Sequence, residues 1–100
     1  MSCGAPEQGS SLEGVEVAGQ TVIQGQVVRD DAPVASAYVR LLDASGEFTA
    51  EVVTSANGDF RFFAAPGEWT LRALATGAQG ECAVSADVGV TTVQVELVGA

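Results

Sequence analysis

The chain has 100 residues, 13 of them acidic against four arginines, with no lysine and no histidine, for a net charge of −9. One domain with a single core fits this length, since a chain of this size buries roughly 60 to 65% of its unfolded surface, and a hydrophobic content of 47% is too high for charge-driven disorder. The missing residue types exclude imidazole bases, Ser-His and Cys-His pairs and Schiff-base lysines, two cysteines cannot complete a structural zinc site, and the acidic surface argues against nucleic acid and anionic lipid.

Residues 1–14 are rich in Gly, Ser, Pro and Gln and are expected to form a flexible N-terminal tail, leaving 15–100 as the folded domain. The start of the chain has neither a basic segment nor an apolar signal core, and no apolar run approaches the ~18 residues of a bilayer span. The expectation is a cytoplasmic protein, no membrane partner, and both cysteines reduced.

The first strand is predicted over Thr21 to Arg29, with Ile23, Gly25 and Val27 on one parity. Asp30-Asp31-Ala32-Pro33 supplies a turn. Ser36 to Asp43 follows, with Ala37, Val39 and Leu41 inward and Tyr38, Arg40 and Leu42 outward, and Phe48 to Thr54 alternates Phe48, Ala50 and Val52 against Thr49 and Glu51. Asn57-Gly58 reads as a hairpin turn in which both residues accept positive φ. Asp59 to Ala64 sends Phe60 and Phe62 inward, Pro66-Gly67 turns the chain, and Glu68 to Ala75 sends Trp69, Leu71 and Ala73 inward. Thr76 to Gly80 reads as a glycine-broken segment, and Glu81 to Ser85 and Val90 to Val98 complete seven strands. No stretch sustains a 3.6-residue apolar period over three turns, so no significant helix is expected, and seven short strands with turns about every ten residues describe an all-β, antiparallel Greek-key β-sandwich. The expected core is Ile23, Val27, Val39, Leu41, Val52, Phe60, Phe62, Trp69, Leu71, Val93 and Val95, with Trp69 and the two phenylalanines dominant.

The pieces Gly25 to Val27, Pro33, Ala37 to Leu41, Gly58 to Phe62 and Pro66 to Leu71 resemble the motif string of carboxypeptidase regulatory-like domains, which are prealbumin-like β-sandwiches. That resemblance implies the fold and leaves function open. The Ser2-Cys3-Gly4 start, Ala37 to Asp43, Gly46 to Val53 and Gly58 to Gly67 are together similar to the SseC-like actinobacterial family encoded beside a thiosulfate sulfurtransferase. It implies an association with sulfur transfer and carries no catalytic residues with it.

Cys3 is the candidate sulfur acceptor, since a thiol on a flexible tail can reach a partner's active site and take up a persulfide sulfur. The thiolate it needs is favoured by nearby positive charge, yet the first arginine is Arg29 and Glu7 lies closer. An exposed tail cysteine and a ligand to a partner's metal are the alternatives. Cys82, within a strand, reads as a small buried hydrophobe, and a Cys3–Cys82 disulfide is disfavoured by a reducing cytoplasm. The terminal Gly99-Ala100 departs from the glycine terminus of ubiquitin-like sulfur carriers. Asp30-Asp31 and Asn57-Gly58-Asp59 read as turn chemistry rather than calcium ligands, so neither a metal nor a cofactor is expected.

On the outward parity, Tyr38, Arg40, Arg61, Phe63, Arg72 and Leu74 form the candidate interface, because aromatic residues and arginine are enriched at interface cores. Exposed apolar residues and locally paired arginines are the structural alternative, and an oxyanion held by the arginines is a lesser one. The expected function is a non-enzymatic accessory protein whose protein partner is a thiosulfate sulfurtransferase or another enzyme of sulfur metabolism. Two alternatives stand beside it: a sulfur relay through Cys3, and a structural or carbohydrate-contacting sandwich module. A homodimer is compatible with all three.

Overall fold

Residues Ala78–Ala86 alternate buried and exposed positions without a break, which is the period-2 burial of a strand with one face on a core and one on solvent. The same rule organises the rest of the molecule. A computed structural model describes residues 19–99, and among them the chain forms nine strands and no helix: β1 Thr21–Arg29, β2 Ala32–Pro33, β3 Tyr38–Leu42, β4 Phe48–Val53, β5 Asp59–Ala64, β6 Gly67–Ala75, β7 Ala78–Ala86, β8 Gly89–Glu96 and β9 Val98–Gly99. Seven of these correspond to the expected strands, and the two-residue β2 and β9 are additional. The expected tail, the domain boundary at residue 14 and Cys3 lie outside the described residues. None of the described residues forms a helix long and apolar enough to cross a membrane.

Two sheets pack into a prealbumin-like Greek-key sandwich. In one, β1 lies between β5 and β8, with β2 paired to its C-terminal end; the other runs β4-β3-β6-β7-β9. Every pairing is antiparallel except β1 with β8, which is parallel from Thr21↔Gly89 to Val28↔Glu96. A parallel neighbour needs a crossover connection, and β8 supplies one because it returns from the five-stranded sheet through β7. The close approach of β8 has a local requirement: a Cβ on Gly25 would overlap the Val93 carbonyl oxygen and press on the Phe60 ring.

Ile23, Val27, Val39, Leu41, Phe60, Phe62, Leu71, Val93 and Val95 are buried between the sheets as expected, joined by Ala37, Ala73, Ala78, Cys82, Val84, Ala86 and Leu97. Trp69 and Val52 pack at the margin of this cluster, only half-buried. The expected dominance of Trp69 is therefore corrected: it sits at the rim, where its indole N–H donates to the Ala65 carbonyl at 2.9 Å, as a tryptophan with a polar handle does. β1 is buried on both parities, Val22 and Val28 included.

Three turns differ from expectation. Asp30 and Asp31 both have positive φ, at 52° and 66°, so the two-residue β1–β2 hairpin is built by an Asp-Asp pair of the type I′ kind, and Ala32–Pro33 is strand. At Asn57-Gly58 only Gly58 has positive φ; its N–H donates to the Ser55 carbonyl at 2.9 Å and its carbonyl accepts from Val27 N at 2.8 Å. That turn joins β4 to β5 across the two sheets, so it is a crossover corner and not a hairpin. The glycine-broken segment shrinks to Thr76-Gly77, since β7 begins at Ala78 and runs through Gly80, where a Cβ would overlap the Glu96 carbonyl.

Candidate functional site

The outer face of the five-stranded sheet carries two rows of side chains set by strand register. Tyr38 on β3 stands opposite Val53 on β4 and Leu74 on β6, Leu74 stands opposite Gln79 on β7, and Gln79 opposite Val98 on β9. Val53, Tyr38 and Val98 are each more than half exposed, at 55%, 52% and 51%. The result is a mostly apolar band crossing the whole sheet.

One pleat further along, Arg40 stands opposite Glu51 on one side and Arg72 on the other, and Arg72 opposite Glu81. Like charges placed directly opposite are unfavourable. Each guanidinium turns outward to its acid instead: Arg40 Nε donates to Glu51 Oε2 at 2.8 Å, and Arg72 donates through both Nε and Nη2 to Glu81 Oε2, at 2.8 Å for each. The row Glu51-Arg40-Arg72-Glu81 is thus locally neutral in a chain of net charge −9. These side chains are too exposed for the pairs to add much stability. Between the two rows a shallow groove is lined by Arg40, Arg72, Leu74, Gln79, Glu81 and Val98.

The sheet is finished at one end by the β3–β4 turn. Asp43 Oδ1 accepts from Ser45 N and Ser45 Oγ at 2.9 and 2.7 Å and from Glu47 N at 3.0 Å. The Ser45 hydroxyl first, then the Glu47 N–H, hold its carboxyl below the ordinary aspartate value. Just beyond the turn the β3–β4 register slips between Leu41 and Leu42. Leu41 and Leu42 beside it are both buried, which corrects the outward placement of Leu42.

The six expected interface residues are not brought together. Tyr38, Arg40, Arg72 and Leu74 share the face just described, whereas Arg61 and Phe63 lie on β5, on the opposite outer face of the sandwich. There Arg61 Nε donates to Gln24 Oε1 at 3.3 Å, and Phe63 stands 63% exposed opposite Val22. Alternation along a strand separates in from out, but a sandwich has two outsides. The missed members, Val53, Gln79 and Val98, enter by cross-strand register, and only their alternation with buried neighbours marked them in the chain.

Cys82 is buried on β7 opposite Leu71 and is disulfide-bonded. This corrects the expectation of a reduced thiol. That expectation came from a presumed compartment, whereas a disulfide is decided by which sulfur the folded chain brings near. Among the described residues no group of three or more His, Cys, Asp or Glu is placed to hold a metal ion.

These features define a small all-β sandwich with one patterned outer sheet and no assembled acid–base or nucleophile constellation among the described residues. The chain belongs to the family described as a protein of unknown function, DUF1416, whose model matches residues 3–97. It is 52% identical over 98 residues to the uncharacterised protein Rv0814c of Mycobacterium tuberculosis H37Rv, covering 95% of this chain and 98% of that protein. An uncharacterised protein of Mycolicibacterium smegmatis is 58% identical over 73 residues, covering 72% of this chain and 81% of the relative. Among solved structures, a DUF3823 family protein from Parabacteroides merdae aligns with a TM-score of 0.64 at 17% identity, over 82% of this chain and 47% of that one. The 3-chlorocatechol 1,2-dioxygenase of Rhodococcus opacus 1CP aligns with a TM-score of 0.60 at 14% identity, over 85% of this chain and 62% of that one. This chain thus spans about half of the first structure and under two thirds of the second, and at such identities the likeness is one of fold.

Proposed function

We propose that this protein is a non-enzymatic accessory protein that docks a protein partner on the outer face of the five-stranded sheet. The observation that carries the reading is the apolar band Val53, Tyr38, Leu74 and Val98 beside a row of arginines neutralised by their own acids. A band of this kind leaves apolar area and guanidinium planes available at little desolvation cost, which is the composition of an interface core with a polar flank. The class of partner rests on the SseC-like resemblance: a thiosulfate sulfurtransferase, or another enzyme of sulfur metabolism.

A persulfide carried on Cys3 is the weaker reading. It needs a thiolate, which nearby positive charge favours, and the first arginine in the chain is Arg29 while Glu7 lies closer.

Binding of the purified full chain to the sulfurtransferase encoded by the same organism, measured by titration calorimetry, tests the proposal. Leu74→Asp should weaken binding at least about tenfold, as loss of a central apolar anchor does, while Phe63→Asp on the opposite face should leave it unchanged. Equal losses from both, or no binding by the unmodified chain, would remove the assignment.

A further inference from the structure

Cys82 is disulfide-bonded, and the chain holds two cysteines in all, Cys3 and Cys82. Which sulfur can reach Cys82 is decided by where β7 places it. The side chain is 3% exposed, on the inward parity of β7, and belongs to the core between the sheets, with Leu71 opposite it on β6. Cys82 of a second copy is buried in the same way. Two such sulfurs cannot approach to the about 2 Å of a disulfide without opening both cores.

β7 is covered unevenly along its two sides. β6 pairs with all of it, from Gly67↔Ala86 to Ala75↔Ala78, but on the other side β9 meets only Ala78 and Gln79. The end of β8 closes on the next residue, since a Cβ on Gly80 would overlap the Glu96 carbonyl. Past that contact β7 and β8 belong to different sheets, and no strand among the described residues pairs with 81–86 on that side. Cys82 stands at the start of this open stretch.

The topology brings the entry of the chain to the same end of the sandwich. Thr21 at the head of β1 stands beside Gly89, Gly89 N donates to the Gln20 carbonyl at 2.7 Å, and Gly89 follows Ala86, the last residue of β7, by three positions. Cys82 lies four residues back from Ala86, roughly 13 Å at the rise of a strand. Residues 4–18, which separate Cys3 from Gly19, span up to roughly 50 Å when extended, so a link from Cys3 to Cys82 closes with slack.

We propose that Cys82 is joined to Cys3 of the same chain, a redox-sensitive clasp that ties the N-terminal segment to the open side of β7. In forming it the two thiols give up two protons and two electrons to a small-molecule disulfide, which leaves as two thiols; a dithiol reverses the exchange and becomes a disulfide itself. The ring takes in most of the chain, and long rings restrict the unfolded state most. The clasp does not depend on docking at the outer face of the five-stranded sheet.

Peptide mapping of the full chain tests this, after folding in an oxidising glutathione buffer, alkylation of free thiols, and digestion with trypsin without reduction. Cleavage at Arg29, Arg40, Arg61 and Arg72 leaves peptides 1–29 and 73–100 with one cysteine each. They should appear as one linked species that separates on adding dithiothreitol, from a chain that runs at its single mass of 10.1 kDa on a non-reducing gel. Cys3→Ser replaces none of the described residues and should lower the melting temperature by about 10 °C or more. Dithiothreitol should bring the wild type down to the same value and leave Cys3→Ser unmoved. Peptides recovered apart with both thiols alkylated, or Cys82 carrying glutathione, overturn the proposal. So does a linked pair found only in a disulfide-bonded dimer, or a Cys3→Ser chain that melts with the oxidised wild type.

Discussion

The two outer faces of this sandwich are built from the same alternating strands and end up with different character. On the five-stranded sheet, β3 and β6 lie side by side in the middle, so outward residues from five strands fall into rows, one apolar and one of paired charges. On the other sheet the middle strand is β1, whose outward parity is Val22, Gln24, Gln26 and Val28, and its arginine and its phenylalanine stand on the flanking β5. Arg61 there is bonded to the neutral Gln24. A face acquires a continuous pattern when its central strands carry it, since each central residue has a neighbour on both sides.

The strongest way to break this comparison is to attack what the faces share. Phe60→Ala, between the sheets, should cost about 3 to 5 kcal/mol in chemical denaturation, the range for a buried aromatic. Trp69→Ala should cost about 2 kcal/mol, for partial burial and one hydrogen bond. An equal loss from the two would return Trp69 to the interior and undo its placement at the rim.

Smaller effects separate the faces themselves. A double-mutant cycle on Arg40→Ala and Glu51→Ala should give a coupling of roughly 0.2 to 1 kcal/mol, toward the low end because the two side chains are 44% and 31% exposed, and it should shrink in salt. A large, salt-insensitive coupling would mean that the row is structural rather than a presented surface. Smallest is the Asp43 turn. Its folded carboxyl titrates below the ordinary value, so it stabilises the fold above the unfolded pKa, and that contribution is lost as pH falls through the folded value. Asp43→Asn should therefore melt below wild type at pH 7, with the gap closing under about pH 4. A gap that persists at low pH would show that the carboxylate charge is not what orders the turn.

Much of the fold was legible in the chain because period-2 alternation is a local consequence of strand geometry. Asp59 to Ala64 is a strand with the bounds the sequence predicts, and nine of the eleven expected core residues are buried. Leu42 and Trp69 were misplaced for reasons that alternation does not contain: one lies at a register slip, the other at the end of a sheet. The candidate site was half legible. Tyr38, Arg40, Arg72 and Leu74 belong to one surface, while Arg61 and Phe63 share their parity and not their sheet.

The sequence by itself determined that the chain is all-β, the approximate places of its turns, the inward parity of most strands, and that histidine and lysine are absent. Each of these follows from residue type or from spacing within a single strand. Tertiary structure alone decided that β8 runs parallel to β1, that two rows cross the five-stranded sheet and that Cys82 is disulfide-bonded. Those depend on which strands become neighbours and in what register, and pairing between distant segments is settled only when the whole core closes.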